Sequence, residues 1–124
     1  MSEAVKYEQE GGVVTLTLNE PDTRNALSPA INDAIVEYFA RINTDLTVGC
    51  VILTGAGEGF SSGGNVKRMQ DRNTAAVQKA PVDIRAYYTT GIQRIPLAFN
   101  TLDAPIIAAV NGAAIGAGCD LASM

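Results

Sequence analysis

With 124 residues, 47% of them hydrophobic and 18% charged, the chain has the make-up of one soluble globular domain rather than a disordered tail. A formal charge of −4 with only nine Lys and Arg leaves no basic face for phosphate backbones, which excludes nucleic acid as an expected partner. The opening MSEAVKYEQEGG lacks a basic and then apolar leader, and no stretch approaches the ~18 apolar residues of a membrane span, so no membrane partner and a cytoplasmic location are expected.

Val5–Gln9 and Val13–Leu18 alternate with the period of a strand on either side of Glu10-Gly11-Gly12, which predicts a hairpin. In the second run Val13, Thr15 and Thr17 face opposite to Val14, Leu16 and Leu18. Ser28 then offers an N-cap and Pro29 a first helical residue. Behind them Ile31, Ala34, Ile35, Tyr38, Phe39 and Ile42 form one apolar stripe on a helix of roughly four turns. Glu37 and Arg41 are expected as a solvated pair on the opposite face.

Val48–Thr54 is a non-alternating, β-branched run, the pattern of a parallel strand covered on both faces. Strand, strand, helix, strand is the order of an α/β fold. Val66–Gln70 reads as a short helix. Asn73–Pro81 is polar, without a readable period, and is expected to be mobile. Ile84–Arg94 suits a helix with Ile84, Tyr87, Tyr88, Gly91, Ile92 and Ile95 on one side, which Pro96 must kink or restart. Leu97, Phe99 and Leu102 would extend its apolar cover. Ile106–Val110 predicts a second buried strand, and a new helix begins after Gly116. No internal repeat or linker interrupts the chain.

The two cysteines show no metal or disulfide spacing. Cys50 lies inside an apolar run and reads as core, whereas Cys119 adjoins a glycine-rich turn. No histidine is present, which rules out a Ser-His or Cys-His pair within these residues.

Two of the apolar runs pour into glycine-rich turns, Gly55-Ala-Gly-Glu-Gly-Phe-Ser-Ser-Gly-Gly64 and Asn111-Gly-Ala-Ala-Ile-Gly-Ala-Gly118. Such turns let backbone N–H groups approach a ligand, and a pair of them can hold one developing negative charge from two sides. Taken singly, each is equally a tight strand-to-helix connection. Neither completes a dinucleotide fingerprint or a phosphate-cradling P-loop, so a nucleotide-binding protein is the weakest of the readings.

Together with their flanks, these turns resemble a known family. Asn19–Ser28, Val51–Lys67 and Pro105–Leu121 are similar, in order and in register, to the enoyl-CoA hydratase/isomerase (crotonase) family, and the likeness covers nearly the whole chain. The resemblance implies a spiral of repeated strand-strand-helix units, subunits assembled as trimers or pairs of trimers, and an acyl-CoA thioester as substrate, with no permanently bound cofactor and no metal. Carried over residue by residue, it makes the N–H groups of Gly64 and Ala117 the donors to the thioester oxygen. Ala117 would sit at a helix N-terminus, where unpaired N–H groups favour negative charge. Gly63 and Asn65 flank the first donor. Arg24 and Ala26 would run beside the CoA, Ala26 by its backbone and Arg24 toward a phosphate, although Arg24 is equally an ordinary surface arginine.

Two positions depart from the family pattern. Asp120 stands where its hydratases carry the first of two catalytic glutamates; it is the candidate acid/base, one methylene shorter, and as a plain helix-start residue it has a structural reading too. Asn65 stands in place of the usual aspartate and drops a charge. The final helix ends at Met124 after about one and a half turns, too short to be stable alone. The expectation is therefore a crotonase-like core domain over residues 1–124 that is an N-terminal portion, inactive by itself, of a hydratase or isomerase acting through an enolate. The alternative is a non-catalytic acyl-CoA-binding or assembly protein of the same fold.

Overall fold

A computed structural model describes residues 3–75 and 80–124. The chain begins with the expected hairpin: β1 (Val5–Glu10) and β2 (Val13–Leu18) pair antiparallel around Gly11, whose φ of 58° a side chain would resist. β3 (Cys50–Gly55) lies parallel to β2, and β4 (Ile106–Ala108) parallel to β3, giving a mixed sheet in the order β1-β2-β3-β4. Register aligns the inward side chains across all four strands. Tyr7, Leu16, Leu53 and Ala108 form one such row, and Val14, Val51 and Ile106 another.

α1 (Pro29–Thr44) supplies the crossover from β2 to β3. Its start is built as its sequence dictates, because Ser28 Oγ accepts from Ile31 N at 3.2 Å and Pro29 needs no acceptor for the N–H it lacks. The stripe Ile31, Ile35, Phe39 and Ile42 is buried on Val5, Val14, Leu16, Leu18, Val51 and Leu53, and Phe60, Ile95 and Leu121 close the same cluster. Each such side chain contributes about 1.5–3 kcal/mol of burial, which makes this cluster the chief source of stability. Arg41 does not pair with Glu37 as expected; its guanidinium lies 4.3 Å from the centre of the Tyr7 ring, where the π face is electronegative.

Several expectations are corrected. β3 is parallel to both neighbours, yet only Val51 and Leu53 are buried, because the core cluster covers one face of the sheet and leaves Ile52 and Thr54 partly open. The strand expected over Ile106–Val110 ends at Ala108, and Ile107 and Val110 are exposed. The single helix expected over Ile84–Arg94 is two helices, α3 (Pro81–Thr89) and α4 (Arg94–Thr101), with a turn at Gly91 between them. Pro96 is thus accommodated in the first turn of α4, where its missing N–H costs nothing. Leu97 points outward, while Phe99 crosses the Phe39 ring edge-on at 4.9 Å. α2 runs over Val66–Ala75, longer than expected, and α5 over Ala117–Ser123. Of the stretch Asn73–Pro81, residues 76–79 and the mobility expected there lie outside the described residues.

Candidate functional site

The two glycine turns meet. Ser61 forms an isolated parallel bridge with Ala114, Phe60 N and Ser61 N both donate to Ala113 O, and Ile115 N donates to Ser61 O at 3.0 Å. Glycine is required where they cross. A methyl group built on Gly63, whose φ is 78°, would stand 2.4 Å from Ile115 O, 3.0 Å from Ala117 N and 3.2 Å from Gly118 N. One built on Gly118 would stand 2.3 Å from Ser61 O. The peptide groups on either side of Gly63 and the start of α5 are therefore in backbone contact.

At this junction two donors are unused: neither Gly64 N nor Ala117 N has an acceptor among the described residues. Gly64 borders a cavity of about 250 Å³ that also takes in Leu27, Met69, Tyr88 and Ile92. Ala117 borders a second, of about 180 Å³, with Asp120 and Met124. Leu27 and Ile92 line both hollows. Asp120 is exposed on the first turn of α5, and among the described residues its carboxylate has no hydrogen-bond partner.

A third segment locks the junction. Arg24 and Asn25 both adopt left-handed backbone, with φ of 53° and 55°, a conformation that costs roughly 1–2 kcal/mol per residue unless the surroundings fix it. Asn25 is fully buried and fixed on every side: its Nδ2 donates to Ala56 O and Gly59 O at 3.0 Å, its Oδ1 accepts from Glu20 N, and its carbonyl accepts from Ser61 Oγ. Ser61 Oγ in turn accepts from Gly63 N. Ser62 N donates to Arg24 O and Leu27 N to Gly63 O, so Arg24–Leu27 lies along the first turn. Ala26 is buried there and Arg24 is exposed.

Asn111 does the same between β3 and the second turn, accepting from Gly55 N and donating to Gly57 O and Gly59 O. Asn65 caps α2, its Oδ1 accepting from Arg68 N at 3.1 Å. Asn25, Ser61 and Asn111 were not singled out by sequence reasoning. Their signal, polar residues inside otherwise apolar or glycine-rich segments, is shared with any turn. Among the described residues no group of three His, Cys, Asp or Glu could hold a metal ion, and no helix is long and apolar enough to cross a membrane. Among the described residues, the two groups with displaced titration, Asp45 and Tyr38, are not among those forming the junction. Hydrogen bonds from the Thr47 hydroxyl and N–H hold Asp45 below the usual carboxylate range, and desolvation followed by Glu3 and Glu37 pushes Tyr38 up.

Comparison with known proteins bears on the fold that carries this junction. The family model described as enoyl-CoA hydratase/isomerase matches residues 8–124. The chain is 35% identical over 125 residues to the 1,2-epoxyphenylacetyl-CoA isomerase of Escherichia coli K12, covering 98% of this chain and 45% of that protein. It is 37% identical over 122 residues to the 2,3-dehydroadipyl-CoA hydratase of the same organism, covering 98% and 44%. Among solved structures, an enoyl-CoA hydratase from Polaromonas sp. JS666 superposes with a TM-score of 0.84 at 36% identity, over 95% of this chain and 44% of that one. An enoyl-CoA hydratase/isomerase from Mycobacterium paratuberculosis gives 0.79 at 30% identity, over 98% and 46%. The chain thus spans slightly less than half the length of these relatives and corresponds to an N-terminal portion of their fold.

Proposed function

The chain belongs to the enoyl-CoA hydratase/isomerase family, and from that premise we propose that the full-length protein is an acyl-CoA hydratase or isomerase whose reaction passes through a thioester enolate. One observation carries this reading: two unpartnered N–H groups, of Gly64 and Ala117, at a junction where the backbones of two glycine turns touch. A thioester oxygen seated between them gains two hydrogen bonds that strengthen as the α-carbon loses its proton or the β-carbon is attacked and charge moves onto oxygen. Each such donor is worth about 3–4 kcal/mol of transition-state stabilisation, because it is fixed in place before the charge develops. The carboxylate of Asp120, one turn along α5 from Ala117, is the group that moves the proton.

CoA would lie along Arg24–Leu27, with Arg24 toward a phosphate, the buried backbone of Ala26 beside the pantetheine, and Gly63 and Asn65 shaping the turn. No permanently bound cofactor or metal is required by this chemistry. A trimer or a pair of trimers in the cytoplasm, and inactivity of residues 1–124 alone, belong to the same proposal. The second reading, an acyl-CoA binder without catalysis, draws on the other carboxylate bordering the two hollows, Asp33, being paired with Arg94, so that Asp120 stands as the one unpaired acid there among the described residues.

Turnover of a panel of 2-enoyl-CoA and 3-enoyl-CoA thioesters by the full-length protein, with and without Asp120→Ala, separates the readings. Loss of at least ~100-fold in kcat is expected for the variant, the usual contribution of a placed acid/base. Tight acyl-CoA binding with no turnover by the wild-type protein would favour the binder, and unchanged kcat in the variant would remove Asp120 from the mechanism.

A further inference from the structure

Gly64 is in contact with a side chain that the chemistry proposed above does not use. A Cβ built on Gly64 would stand 2.6 Å from Met69 Cε, so the methyl group of Met69 occupies the room that the missing side chain leaves. The N and Cβ of one residue are held about 2.5 Å apart, which places Met69 Cε within roughly 5 Å of Gly64 N, one of the two unused donors. The start of α2 brings it there. Met69 N donates to Asn65 O at 3.0 Å, and helical side chains lean back over the preceding turn, here toward Gly64 and Asn65. Met69 is 40% exposed and, with Gly64, Leu27 and Ile92, lines the cavity of about 250 Å³.

We propose that Met69 is the specificity-determining residue for substitution at C2 of the acyl group, accepting chains unbranched at that carbon and disfavouring those that carry a methyl there. C2 is two bonds from the thioester oxygen. With that oxygen on Gly64 N–H and the acyl chain in the cavity, C2 and Met69 Cε share the neighbourhood of one donor. An unbranched C2 presents only hydrogens to the methionine. A methyl at C2 calls for space of the size that Met69 Cε already fills. The side chain is unbranched and turns about three bonds, so it can withdraw, and the discrimination is a matter of degree rather than exclusion.

The inference rests on the functional reading above, with the acyl group in the cavity beside Gly64. It is tested on the full-length protein with pairs of CoA thioesters of equal chain length, one straight and one bearing a methyl at C2. Saturated pairs serve for calorimetry, where no chemistry intervenes, and 2-enoyl pairs for turnover. The straight thioester should bind about 10-fold more tightly than its 2-methyl partner, the scale of one methyl group in a filled apolar site. Met69→Ala should bring that ratio to within about 3-fold of one and move the ratio of kcat/KM values the same way, whereas Met69→Leu, close in volume, should keep most of the discrimination. Ratios cancel both the intrinsic effect of the methyl on reactivity and a general loss of stability in the variant. The inference is overturned if wild type binds the two thioesters within about 2-fold of each other, or if Met69→Ala leaves the ratio where it was, with acyl-CoA binding intact in both cases. Absence of any acyl-CoA binding by the wild-type protein would instead overturn the functional reading, and this inference with it.

Discussion

Gly63→Ala is the substitution on which the junction of the two glycine turns can be judged. The new methyl group meets Ile115 O at 2.4 Å and Ala117 N at 3.0 Å, both of them backbone atoms that no side-chain rotation can clear. Bringing the first contact toward the van der Waals range requires the turns to part by roughly 1 Å. The φ of 78° adds roughly 1–2 kcal/mol of backbone strain for a residue bearing a Cβ. Separation by that distance takes the Ala117 N–H away from the oxygen that Gly64 N–H still holds, and misplacement on this scale costs about 100-fold in rate.

The assay is loss or gain of enoyl-CoA absorbance with the full-length variant, alongside urea unfolding. Gly57→Ala is the control: its φ of 79° imposes similar strain, but its methyl group meets Pro21 Cβ at 3.1 Å, away from the junction. Both variants should lose stability, and only Gly63→Ala should lose kcat/KM by about 100-fold. A folded Gly63→Ala protein with kcat/KM within about 3-fold of wild type would show that the contact of the two turns does not position the donors.

Asn25→Ala leaves Ala56 O and Glu20 N without their partner, Gly59 O keeping only its bond from Asn111, and leaves a Cβ residue in left-handed backbone, so a loss of about 2–3 kcal/mol is expected from urea midpoints, with Asn25→Gly recovering the backbone part. Asp45 is held below its usual range by Thr47, so its contribution to stability is present above the ordinary carboxylate range and is lost as pH falls through its lowered value. Wild type and Asp45→Ala should therefore differ in thermal midpoint near neutral pH and converge on acidification; a difference that persists unchanged in acid would contradict the assignment.

Much of the scaffold was legible in the order of residues because it is set by local rules. The alternation in Val13–Leu18 fixes which side chains face the core, Ser28-Pro29 starts a helix, and the stripe from Ile31 to Ile42 says which side of that helix is buried. The glycine turns were legible for the same reason, since a positive φ at Gly63 and close backbone approach at Gly118 are properties of single positions. Their three-part match to one family pointed to the remaining candidate residues, and the family itself is borne out over residues 8–124. Helix ends near Gly91 and the short β4 were not legible, because the turn depends on whether Ile84 and Tyr87 find cover, and they do not.

The sequence by itself determined the hairpin, α1 and its buried stripe, which follow from spacing along one segment, while the candidate donors came from the resemblance to the family. Only the tertiary structure decided that residues 61 and 114 lie side by side and that Asn25 and Asn111 hold the two turns. Those facts join residues separated by tens of positions. Hydrogen-bond satisfaction at such a distance depends on how the sheet and α1 pack, and no local pattern encodes it.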